Sequence, residues 1–95
     1  MSQHQMFKFR LFIAGDTQNS VQALANLTSL CQLHIPKSHE IEVVDVFRHP
    51  KRALAERILM TPTLVVLAPS PVRKIVGTLA ETQPLLQALR LGCFA

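Results

Sequence analysis

Residues 7–47 constrain the fold most tightly. Phe7-Lys8-Phe9-Arg10-Leu11-Phe12-Ile13-Ala14 opens with strict apolar/polar alternation and ends apolar, the pattern of a central strand. Gly15-Asp16-Thr17-Gln18-Asn19-Ser20 is turn chemistry that ends in good N-cap residues. From Val21, apolar residues recur at Leu24, Leu27, Leu30, Cys31 and Leu33, which marks one helix face. That helix stops before Pro36, because a residue preceding proline is pushed out of the helical region. Ile41-Glu42-Val43-Val44-Asp45-Val46-Phe47 is a second strand by its β-branched content and near alternation. A strand, a helix and a strand in this order demand parallel pairing through a right-handed crossover.

The second half reads differently. Pro50 suits the first turn of a short helix over residues 51–58. Leu64-Val65-Val66-Leu67 is a short, wholly apolar run, the pattern of a buried strand. Ala68-Pro69-Ser70-Pro71 turns the chain, residues 72–76 form a strand carrying Arg73 and Lys74, and Gly77 closes it. Leu85, Leu86, Ala88, Leu89 and Leu91 mark a last helix that starts near Thr82 and Pro84, with Gly92 as its C′ residue. The order is β-α-β-α-β-β-α. Met60-Thr61-Pro62-Thr63, at the mouth of the apolar run, resembles the cis-proline loop of thioredoxin-like folds. The expected fold class is therefore α/β, thioredoxin-like, in one domain spanning residues 1–95. A Cys-x-x-Cys pair, which such a loop usually faces, is missing.

Bulk properties narrow the function. The 95 residues leave no room for a second domain. Hydrophobic residues make up 48%, enough for a core, and with five Phe and no Trp or Tyr that core must be mostly aliphatic. A net charge of +4 permits an acidic partner but falls short of a polybasic arm. Without aromatics interleaved among the basic residues, nucleic-acid binding is not expected. Cys31 and Cys93 have no Cys or His at ligand spacing, so the expectation is free thiols in a reducing compartment. His4, His34, His39 and His49 share no recurrent spacing, so no metal or cofactor is expected. Glu42 and Asp45 lack an oriented partner for acid–base work. With no leader pattern and no long apolar run, the expected location is the cytoplasm, with no membrane contact.

Taken in order, Leu11–Asn19, Ser20-Val21, Val44-Asp45-Val46, Ile58-Leu59, Thr61-Pro62-Thr63-Leu64, Pro69, Pro71-Val72-Arg73-Lys74-Ile75 and Gly77 with Leu79 resemble the KaiB family. KaiB is a small circadian clock protein that regulates the KaiC ATPase. The resemblance covers nearly the whole chain. It implies a second available fold: a ground state, usually tetrameric, with a rearranged C-terminal half. The thioredoxin-like monomer is the form that binds KaiC. Two packings of one sequence coexist only when they differ by a few kcal/mol. Pro62, Pro69, Pro71 and Gly77 fall in the half that rearranges and are the candidate switch and cis-proline residues. Family members often have a basic residue where this chain has Gln22, and an acid where it has Thr78. Ser70 interrupts the family's run of prolines.

Residues 83–91 are intrinsically helical, with several Leu and little β-branching, so local propensity favours the thioredoxin-like monomer over the tetramer. The expected function is non-enzymatic: a KaiB-like regulator that docks on a KaiC-type ATPase or a related signalling partner. By the resemblance, Arg57, Arg73 and Lys74 lie near the binding surface and pair with acidic residues of the partner. The alternatives are a thioredoxin-fold interaction or stress-response protein outside a clock, and a thiol-disulfide oxidoreductase. The last needs a thiolate at the first helix N-terminus, where residues 15–20 hold no cysteine.

Overall fold

The computed structural model describes residues 6–69 and 71–80, which form four strands and two helices. Strand β1 (Phe7–Ile13) is followed by helix α1 (Gln18–His34), β2 (His39–Asp45), α2 (Pro50–Ala55), β3 (Thr63–Ala68) and β4 (Arg73–Val76). The sheet order is β2-β1-β3-β4. β1 pairs parallel with β2, as a strand–helix–strand unit requires, while β3 is antiparallel to both β1 and β4. The last expected helix, over residues 83–91, lies outside the described residues.

Strand alternation divides the core in two. Phe7, Phe9 and Leu11 of β1 point to one face, where they pack with Leu27, Leu30 and Cys31 of α1. Phe12 points to the other, where Val44, Val65 and Ala53 of α2 close a smaller cluster. The two helices therefore cover opposite faces of the sheet.

Helix α1 begins three residues before the expected Val21. Thr17 takes the cap position, and the Val21 N–H bonds its carbonyl at 3.0 Å. The buried stripe is also rotated from the expected one. Val21 is 56% exposed and Leu33 76% exposed, while Ser20 and Ala23 are buried. Ser20 can sit inside because its hydroxyl accepts the Ala14 N–H at 3.0 Å and the Thr17 hydroxyl at 2.8 Å. The helix ends at His34, just ahead of Ile35-Pro36.

Helix α2 is shorter than the expected 51–58. It ends at Ala55 because Arg57 turns left-handed, with φ +57°. The Ile58 N–H then reaches back to the Ala53 carbonyl at 2.8 Å, closing the helix as a glycine at that position commonly does. β2 is also shifted, starting at His39 and ending at Asp45. Past it, the Arg48 and His49 N–H groups bond the Asp45 carbonyl at 3.0 and 2.9 Å and turn the chain into α2.

Candidate docking surface

The parallel register sets Arg10 opposite Glu42, and the antiparallel pairs set Val65 beside Arg10 and Lys74 beside Val65. These four residues form a row across the sheet on the α2 side. Helix α2 lies along this row. Its Arg52 meets Glu42 at 2.9 Å, and Glu42 also accepts from Arg10 Nε at 2.7 Å. Arg10 reaches Glu56 through Nη1. Lys74 donates its ammonium to the Glu56 carbonyl. The helix is thus fastened to β2 near one end and to β4 at the other. Arg52, then Arg10, holds the Glu42 carboxyl at about 2.

The expected partner-binding residues do not form one group. Lys74 joins the end of α2 next to Arg57, which is exposed. Arg73, adjacent in sequence, points to the opposite face by strand alternation. Past the α2 end, Leu59 is 91% exposed and Met60 63% exposed. Exposed apolar side chains in the same segment as an exposed arginine and an anchored lysine make this end a candidate docking surface. The ion-pair row was not among the expected site residues. The alternation of Arg10 and of Glu40-x-Glu42 hinted at it, but its pairing needs the strand register.

The proline residues also separate. The Thr61–Pro62 and Ala68–Pro69 peptides are both cis. Pro62 and Gly77 are joined, since the Gly77 N–H donates to the Pro62 carbonyl at 3.0 Å. Phe12 pairs with Thr63, so Pro62 lies at the same sheet end as the loop after β1. Pro69 and Pro71 lie at the other end of β3. That loop after β1 contains no cysteine. Cys31 is a free thiol, buried against the sheet, and burial pushes its pKa up to about 11. Among the described residues, no three His, Cys, Asp or Glu side chains gather to hold a metal. No described helix is long and apolar enough to cross a membrane.

Residues 10–91 match the KaiB domain. The chain belongs to the KaiB family. It is 38% identical over 80 residues to circadian clock protein KaiB3 of Synechocystis sp., covering 84% of this chain and 78% of that relative. It is 36% identical over 91 residues to circadian clock oscillator protein KaiB of Synechococcus elongatus, covering 96% and 89%. Its fold is similar to chloroplastic thioredoxin z, with a TM-score of 0.74 at 18% identity over 90% of this chain and 78% of that one. It is also similar to the N-terminal domain of Synechococcus elongatus SasA, with a TM-score of 0.66 at 20% identity over 96% and 87%. The α/β, thioredoxin-like fold expected from the sequence is the one observed, and this KaiB-family chain lacks the thiol that thioredoxin chemistry requires in the loop after its first strand.

Proposed function

We propose that this KaiB-family chain is a non-enzymatic regulator that docks on a KaiC-type ATPase in its thioredoxin-like, monomeric form. Arg57 is the observation that carries this reading. An arginine at φ +57° costs roughly 1 kcal/mol more than a glycine would. Residues held this way cluster at functional sites. Arg57 is exposed, follows the Glu56 carbonyl that holds Lys74, and shortly precedes the exposed Leu59 and Met60, so its guanidinium is free to meet a carboxylate on a partner. Arg73 points to the other face of β4, an edge strand, so a partner that also meets Arg73 has to reach around that edge. The rearranged tetramer implied by the family resemblance is the minor state, and Pro62, Pro69, Pro71 and Gly77 lie in the half that would change. Redox catalysis is disfavoured because the buried Cys31 thiol stays protonated at neutral pH.

Size-exclusion chromatography with a purified KaiC-type ATPase tests this reading. The wild-type chain is expected to co-elute, and Arg57→Glu with Lys74→Glu to weaken the complex by about tenfold or more. A folded wild-type chain that never co-elutes overturns the reading.

A further inference from the structure

The opposite end of α2 carries a second surface. An open pocket of about 300 Å³ is lined by Arg48, His49, Pro50, Lys51 and Arg52. No carboxylate contributes to its lining. Arg52 is held by Glu42, and Glu42 in turn by Arg10, so one guanidinium is fixed in place. Among the described residues, Arg48 and Lys51 form no ion pair. The adjoining Asp45 carboxylate accepts the N–H groups of Gly15 and Phe47 at 3.2 and 2.9 Å. Asp45 is thus turned to its own loop and Glu42 to Arg52, which leaves Arg48 and Lys51 as the pocket's cations outside any ion pair among the described residues. Its backbone is tied down through the Asp45 and His49 carbonyls, so docking requires little ordering.

Apolar surface flanks these cations. Phe47 is 72% exposed and Leu54 76% exposed. A phenyl ring gives a partner a large, rigid apolar contact. We infer that this pocket docks an acidic protein segment in which carboxylates alternate with large apolar side chains. The carboxylates meet Arg48 and Lys51, and the apolar side chains cover Phe47 and Leu54. A single-stranded nucleic acid fits less well, since it needs a track of successive aromatic platforms. Here one Phe stands beside a short pocket. The surface lies on the β2 side of α2, whereas Lys74 and Arg57 lie towards β4, so the inference does not depend on the ATPase reading.

Amide NMR titration of the full chain tests the inference, using an alternating Glu/Leu peptide of about twelve residues as the probe. Shifts are expected at residues 47–54, weakening as salt rises, because paired charges at a surface are screened. Arg48→Glu with Lys51→Glu is expected to weaken binding about tenfold, and Phe47→Ser to weaken it while leaving the charges in place. Arg57→Glu with Lys74→Glu is expected to leave it unchanged. Four outcomes would overturn the inference: no shifts at residues 47–54, undiminished binding in both pocket variants, equal loss in the Arg57/Lys74 variant, or tighter binding of oligothymidylate at the same residues. Peptide binding without ATPase co-elution would leave the inference standing and remove the other reading alone.

Discussion

Glu42 accepts from Arg10 at 2.7 Å across the parallel β1–β2 register, and its second oxygen meets Arg52 of α2 at 2.9 Å. One carboxylate therefore ties an edge strand, its neighbour and a helix together. The group is half-exposed, so after solvent screening the pairing contributes at most about 1 kcal/mol.

This contribution depends on pH. Arg52 and Arg10 hold the folded carboxyl at about 2, below its ordinary value of 4.5. A depressed carboxyl stabilises fully above its unfolded value, and the stability is lost as pH falls towards the folded value. Urea unfolding of wild type and Glu42→Gln should differ most at neutral pH. The gap should close as pH drops from about 4.5 towards about 2. A gap that is unchanged across that window would contradict the ion-pair account.

Cys31 should resist chemistry while the chain is folded. Its thiol is buried and held protonated at about 11. In a Cys93→Ser background, a thiol reagent near neutral pH should label Cys31 only on the timescale of unfolding. Insulin reduction should match a Cys31→Ser, Cys93→Ser control. Rapid native labelling would show that the α1–sheet interface opens.

Arg57→Gly should separate stability from binding. Glycine occupies the left-handed region without the Cβ clash, so the variant should gain up to about 1 kcal/mol. The same change removes the guanidinium and should weaken docking on the ATPase. A variant that is both more stable and equally tight would release Arg57 from any binding role.

The strands were legible because alternation and apolar runs report burial directly. Phe7–Ile13 and Thr63–Ala68 fall within a residue of their expected bounds. Helix faces were less so. Counting apolar residues drew Val21 and Leu33 inward, whereas the helix is rotated to bury Ser20, whose hydroxyl is satisfied locally. The early end of α2 was hidden because the left-handed residue is Arg57 and no glycine announces it. The grouping of the three candidate cations was not legible: Lys74 bonds the Glu56 carbonyl, one residue before Arg57, but strand alternation sends the neighbouring Arg73 to the other face. The Arg10–Glu42–Arg52 network depends on strand register and helix placement, which local pattern does not carry.

Ser20→Ala should be costly despite its small change in volume. It leaves the Ala14 N–H without its acceptor at the start of the β1–α1 loop. An unsatisfied donor at such a site costs about 1–3 kcal/mol. Ser20→Thr should restore part of it by keeping the hydroxyl. Chemical denaturation distinguishes the two; equal stability of Ala and wild type would show that water replaces Ser20.

Two glycines should respond unequally to alanine. Gly15 sits at φ +57°, where a Cβ would meet the Phe47 ring at 3.5 Å, an ordinary contact. Its cost should be the left-handed penalty alone, roughly 1 kcal/mol. Gly77 sits at φ +122°, far from any well that L residues favour, although a Cβ there would meet nothing within 4 Å. Its penalty is therefore conformational, not steric, and about 1–3 kcal/mol. Relief requires the backbone to rotate, which would pull the Gly77 N–H from the Pro62 carbonyl and loosen the mouth of β3. Gly77→Ala should lower Tm by more than Gly15→Ala, and amide exchange should rise at Gly77 first. The reverse order would show that the Phe47 ring resists a methyl group more strongly than the β4 turn resists its new dihedral.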